Sequence, residues 1–241
     1  MEIAPIAYIE SPYPTKFGVP RQPALVTALT SRLSVPIEYF DGRAEELEPG
    51  SFVVLLWEFS FNHGARSEAA RTVRAPRLGG TERVGVFASR SSFRPNSLAL
   101  STLEVKEAMA NGERLELEFY GGDLVDGTPV YGLRGYGRAD VHENARAGWV
   151  QQRPWNLLDD VVVPEALRSR IADNLWPGIE QVLRQDPRPA YTKNSQSDRE
   201  FWVPICHYVI RFRVEENNVV VTGIEELSEE RYAQLKMRGS L

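Results

Sequence analysis

Through the first 140 or so residues, apolar positions recur with a period of two or in short unbroken runs, and Gly and Pro punctuate them. Arg114 to Phe119 is the clearest case: Leu115, Leu117 and Phe119 fall on one face and Arg114, Glu116 and Glu118 on the other, which predicts a half-buried strand. Phe52 to Phe61 is apolar and aromatic almost throughout and predicts a buried strand. Further strands are predicted at Ile3–Ile9, stopped by Ser11-Pro12-Tyr13-Pro14, and at Val35–Phe40, Val84–Ala88 and Pro129–Tyr136. No long amphipathic helix interrupts the series, so a barrel or a sandwich is expected.

The pattern changes beyond residue 140. Gly148–Asp160 is irregular and reads as a linker or ordered loop. Leu167, Ile171 and Leu175 recur at helical spacing behind Pro164, and Ile179, Val182 and Leu183 predict a second short helix after Pro177-Gly178. Tyr208, Ile210, Phe212 and Val214 alternate with more polar neighbours; Asn217-Asn218 then turns the chain into Val219–Ile224, giving a hairpin. Ser228 before Glu229-Glu230 predicts the cap of a terminal helix. The division is a β-barrel domain over 1–147 and a smaller α+β domain over 148–241, the fold as a whole being mainly β.

Composition narrows the function more than the fold. With 42% hydrophobic and 25% charged residues the chain is of ordinary globular type, and its longest apolar run, Phe52–Trp57, is far short of a bilayer span. The first five residues lack the basic and apolar regions of a signal peptide, and a single cysteine, Cys206, forms no internal disulfide; a cytoplasmic location is expected. Net charge is −5, yet seven arginines lie between Arg66 and Arg94 against only Glu68 and Glu82. Such a cluster in an acidic chain suits a specific anion or nucleic-acid site, or simply pairs with acids elsewhere. The three histidines are far apart, so no zinc spacing exists and no metal is expected; nucleophile-elbow, Walker and G-x-G-x-x-G patterns are missing from the sequence.

Four dense loop motifs remain: Ser11 to Pro23, Ala75-Pro76-Arg77 through Phe93-Arg94-Pro95-Asn96, Asp123-Leu124-Val125-Asp126-Gly127, and Asp186-Pro187-Arg188-Pro189-Ala190-Tyr191. Tight turns explain their Gly and Pro, but Arg, Asn, Asp and aromatics in the same loops are ligand-contacting types. Together, in this order and over most of the chain, they resemble the TrmO (TsaA-like, YaeB-like) family of tRNA methyltransferases. The resemblance implies a single-sheet barrel carrying S-adenosylmethionine, a small C-terminal domain, a homodimer, and methylation of N6 of N6-threonylcarbamoyladenosine beside the anticodon of tRNA. It also implies donor contacts at Pro20, Arg21 and Gln22, at His63-Gly64, at Arg90, at Leu100, and along Asp123, Leu124, Val125, Asp126 and Gly127. Gly64 stands where the family has Gln, Ser97 and Ala99 where it has Pro and Gly, and Tyr131 to Gly137 lacks the usual Asp and Pro.

Methyl transfer is an in-line displacement at a sulfonium, so placement and electrostatics carry most of the rate. An arginine suits the donor's carboxylate, which assigns Arg21 or Arg90 to it or to an RNA phosphate. The N6 proton calls for a base, with His63 and Asp126 as candidates and a packed, neutral His63 as the competing reading. Arg77, Arg94, Asn96 and Arg188 are assigned to the tRNA substrate, with Phe93 and Tyr191 placed to stack on a base or else to pack in a core. Two other functions fit the departures: a non-catalytic RNA-binding β-barrel, and a methyltransferase of another RNA or of a small adenine derivative.

Overall fold

The computed structural model describes residues 2–41, 47–59, 71–74, 83–146, 157–188, 192 and 199–238. Six strands, β1 (Ala7–Glu10), β2 (Thr30–Pro36), β3 (Phe52–Glu58), β6 (Leu98–Asn111), β7 (Arg114–Tyr120) and β8 (Pro129–Tyr136), close a barrel in the order β1-β2-β7-β6-β3-β8. All its pairings are antiparallel, the last between β8 and β1. β4 (Thr72–Arg74) and β5 (Arg83–Gly85) form a separate ribbon. The inward residues include Ile9, Leu33, Val35, Val53, Leu55, Trp57, Leu103, Val105, Leu115, Leu117 and Phe119, nearly all without solvent contact. A six-stranded barrel is narrow enough for side chains to fill it, so this one has a packed core and any ligand must sit at its rim or outside.

The alternation read at Arg114–Phe119 and the span Pro129–Tyr136 appear as β7 and β8. Ile3–Ile9 shrinks to β1. Val35–Phe40 is corrected: β2 lies earlier, and Ile37–Phe40 is a 3-10 turn. Pro36 ends the strand because it has no N–H for the ladder. Val84–Ala88 likewise splits into the end of β5 and a 3-10 turn at Val86–Ala88. The 14-residue β6, the longest strand, escaped the pattern because a bulge between Val105 and Glu107 breaks its period.

In the second half, β10 (Phe201–Ile205), β11 (Tyr208–Glu215) and β12 (Asn218–Glu226) form an antiparallel meander, with β9 (Val161–Val162) parallel on the β12 edge. The predicted 167–175 helix is only one turn, α1 (Glu165–Arg168), and the second predicted helix is α2 (Trp176–Arg184), which has Pro177-Gly178 inside its first turn rather than before it. Pro tolerates that position because first-turn N–H groups have no helical acceptor. Glu215 pairs with Asn218, so the hairpin turns on Glu216-Asn217, one residue earlier than predicted, with Glu216 at φ +55°. The terminal helix α3 (Glu229–Arg238) begins as read: the Arg231 N–H donates to Ser228 Oγ at 3.3 Å.

The α2 face of the sheet holds a core of Trp176, Ile179, Val182, Leu183, Ile210, Phe212 and Val221, and Tyr13, Val26 and Leu29 from the β1–β2 connection are buried in it. The N-terminal half is thus threaded into the C-terminal core, across the division expected at residue 147. Gly178 makes this possible, because a Cβ there would lie 2.3 Å from Leu29 Cγ. Alanine is favoured over glycine in a helix by about 1 kcal/mol, yet Gly178→Ala is expected to destabilise the protein by about 1–3 kcal/mol through overpacking against Leu29. Urea unfolding checks the sign; a gain in stability would dismiss the interlock.

Candidate functional site

The first and third motifs are bound together at one end of the barrel. Gly127 N–H donates to Ile9 C=O at 2.8 Å, Asp126 N–H to Tyr13 C=O at 2.8 Å, and Ser11 Oγ to Leu124 C=O at 2.8 Å. Gly121 lets the chain enter this arrangement: its φ is +72°, and a Cβ would stand 2.4 Å from Pro23 C=O. The Leu124 side chain is buried in the barrel, so what the motif offers a ligand there is backbone.

The loop holds two buried carboxylates with different partners. Asp123 accepts from Ser101 Oγ at 2.5 Å and from Arg90 at 2.9 Å, and Ser101 in turn accepts from Trp57 Nε1 at 2.9 Å. Burial raises the Asp123 carboxyl above its usual range, and the hydrogen bond from Ser101 and the Arg90 charge oppose the rise. Arg90 itself is open: its side chain is 52% exposed while that of Asp123 is 4% exposed. The guanidinium is therefore aimed by a buried anchor with donors left over for an anion. Asp126 differs. It accepts from the Ser11 N–H at 3.0 Å and the Tyr232 hydroxyl at 3.4 Å, and pairs with Lys236 Nζ at 2.7 Å, so both its oxygens are engaged. The open carboxylate expected of a donor contact or a base is already tied to the backbone and to α3.

The second motif beyond Arg90 is a run of serine turns. Ser89 Oγ donates to Val86 C=O, Ser91 N–H to Ser89 Oγ, and Phe93 N–H to Ser91 Oγ. Arg94 donates to Ser89 C=O at 2.7 Å and supports this loop from within, while its Nε is buried without a partner among the described residues. Phe93, Asn96 and Leu100 are exposed, Leu100 on the outer face of β6 opposite Leu56.

The end of the first motif meets the fourth. Gly18, Val19 and Arg21 line a small crevice with Val182, Gln185, Asp186 and Pro187. Pro20 is buried beside it and Gln22 precedes the 3-10 turn at Pro23–Leu25. Partial burial lowers the Arg21 guanidinium's affinity for its proton, and the Asp186 charge restores some of it. Arg188 is only 11% exposed and forks onto Asp186, at 2.8 Å from Nε and 3.1 Å from a terminal nitrogen, so it holds the turn together and has little surface for RNA. Four of the expected residues, His63, Gly64, Arg77 and Tyr191, lie outside the described residues. Ser101, Trp57, Tyr232 and Lys236 were not singled out in the sequence. For Ser101 a signal existed: it is the polar member of the inward series Ser101, Leu103, Val105.

Among the described residues no group of three His, Cys, Asp or Glu is placed to hold a metal ion, and no helix is long and apolar enough to cross a membrane.

A family model described as the tRNA-methyltransferase O N-terminal domain matches residues 8–140, and one described as the TrmO C-terminal domain matches residues 164–227. The chain is 35% identical over 227 residues to the tRNA (adenine(37)-N6)-methyltransferase of Escherichia coli K12, covering 91% of this chain and 96% of that protein. It is 37% identical over 201 residues to a Pseudomonas aeruginosa protein named provisionally as an S-adenosylmethionine-dependent methyltransferase, covering 79% and 83%. The crystal structure of TrmO from Pseudomonas aeruginosa superposes with a TM-score of 0.71 at 26% identity, over 94% of this chain and 97% of that one.

Proposed function

The chain belongs to the TrmO family, and on that premise we propose that it is an S-adenosylmethionine-dependent methyltransferase of tRNA, acting on N6 of adenosine 37 where that base already carries a threonylcarbamoyl group. The observation that carries the reading is Arg90, half exposed at the barrel rim and aimed by buried Asp123. Its free donors fit the carboxylate of the methyl donor, and the Leu124–Val125 backbone beside it fits the ribose and adenine edges. Bound there, S-adenosylmethionine supplies an electrophilic methyl group on a sulfonium. The protein's share is to fix direction and exclude water: Asp123 holds the Arg90 fork, and Asp126 anchors the loop on Ser11 and α3. Asp126 is thereby committed to anchoring, and the role of proton acceptor rests on His63. Phosphate contact to the anticodon loop falls to Arg77 and stacking on a base to exposed Phe93.

The proposed homodimer uses the outside of the barrel. The outer face of β3 carries apolar side chains where a barrel in water is usually polar: Phe52 beside Tyr136 of β8 and Leu56 beside Leu100 of β6, with Val54 between them only 9% exposed. Phe52 is 42%, Tyr136 37% and Leu100 60% exposed, a patch of the kind that marks an interface.

Three outcomes are expected. Calorimetric titration with S-adenosylmethionine, without added metal, gives saturable binding that Arg90→Ala weakens about tenfold or more, the loss of a charge-assisted pair; an unchanged affinity moves the donor off this rim. Methyl incorporation requires tRNA bearing the threonylcarbamoyl group, and equal rates on an unmodified transcript would favour a broader RNA substrate. Light scattering gives twice the chain mass, and Phe52→Glu with Tyr136→Glu gives a monomer; a dimer surviving both changes uses another face.

A further inference from the structure

The terminal helix reaches from one domain into the donor loop of the other. α3 is seated on the C-terminal sheet by Leu235, which packs with Val209 and Leu227, and by Tyr232, whose ring stacks on His207 with centroids 4.5 Å apart. From that seat two side chains, one helical turn apart, extend to the barrel. Lys236 Nζ lies 2.7 Å from Asp126 Oδ2, and the Tyr232 hydroxyl donates to the same oxygen at 3.4 Å. The lysine stem also closes over Gly127: a Cβ at that residue, which has φ +78°, would be 2.8 Å from Lys236 Cε. The Asp126 side chain is 8% exposed and Lys236 41%, so the pair sits at the edge of the protein with its anion inside. The stretch that matches the family's C-terminal model stops at residue 227, two residues before α3 starts at Glu229.

We propose that Lys236, supported by Tyr232, is a positioning residue for the methyl-donor loop: by neutralising Asp126 it holds the Asp123–Gly127 backbone in the shape that receives the donor. A buried carboxylate has to find partners. Ser11 N–H satisfies one Asp126 oxygen and ties the loop to β1; the other is left to α3, which therefore sets how firmly the loop is held. Removing the ammonium leaves a carboxylate oxygen that turns toward water for its partner, and that movement loosens the Leu124–Val125 backbone. The effect belongs to donor binding. Phe93 and Asn96, the exposed side chains assigned to tRNA, belong to the second motif, whereas α3 grips Asp126 in the third.

This inference rests on the donor-site reading above, and full-length variants separate the two. Deleting α3 would uncover Val209 and Leu227, so single side chains are exchanged instead. Lys236→Met keeps the stem and removes the charge. It is expected to raise the Kd for S-adenosylhomocysteine and the KM for S-adenosylmethionine about five- to tenfold, with kcat and the KM for tRNA changed by less than about twofold, the pattern of a lost ground-state contact. Lys236→Arg restores most of the affinity. In an Asp126→Asn background Lys236→Met adds nothing, because its partner charge is gone. A wild-type donor affinity in Lys236→Met, additive losses in the double variant, or equal losses from Met and Arg would each overturn the strap while the donor site stands. A wild-type chain that does not bind the donor overturns both.

Discussion

A carboxylate removed from water must be answered by donors, and the loop after β7 buries two of them three residues apart. Asp123 and Asp126 cannot share an answer, since their side chains turn to opposite partners. Each draws in a separate part of the molecule: Asp123 takes Ser101 from near the start of β6 and Arg90 from the second motif, and Asp126 takes the Ser11 backbone from just past β1 and Lys236 from α3. The barrel rim is organised around this requirement. The barrel ladder already brings β1 and β6 together; the two acids add Arg90 and α3 to them, and without Asp123 the Arg90 side chain would lose its anchor.

The same contacts explain why polar groups gather at the rim rather than in the barrel interior. Aliphatic and aromatic side chains fill the interior from Ile9 to Phe119. The first polar layer met on leaving that core is Ser101 with Trp57 Nε1, then Asp123, then Arg90 in solvent. Polarity rises outward along one hydrogen-bonded chain, which gives a rigid base to a guanidinium that must hold its direction.

Legibility from sequence divided by range. β7 and β8 and the Ser228 cap could be read because each depends on residues within a turn or a strand of one another. β6 could not, because the bulge at Val105–Glu107 shifts its inward set by one position and erases the alternation. The helix expected over 167–175 failed for a related reason: Ile171 is buried as a helical stripe would require, but it lies in a turn between α1 and α2 and reaches the same core by another route. At the site, Arg90 and Asp123 were named from motif resemblance, whereas nothing local marks Lys236. Its partner is 110 positions away in the chain, and a lone lysine on a charged helix looks like a solvated one. The pairing of Arg188 with Asp186 is the converse case, two residues apart and readable as a local fork, yet assigned in the sequence to RNA.

Threading of the β1–β2 connection into the α2 core has a consequence for biosynthesis. Tyr13, Val26 and Leu29 leave the ribosome early, but the surfaces that cover them, Trp176 and Ile179 on α2 and the β10–β12 meander, are made only after well over half the chain has emerged. The barrel strands can pair among themselves, since β1 takes its register from β2 and β8, but the connection between β1 and β2 must wait as an exposed apolar tether until the last third of the protein arrives. Such a chain completes the packing of its N-terminal half only late in translation, with apolar side chains uncovered in the interval.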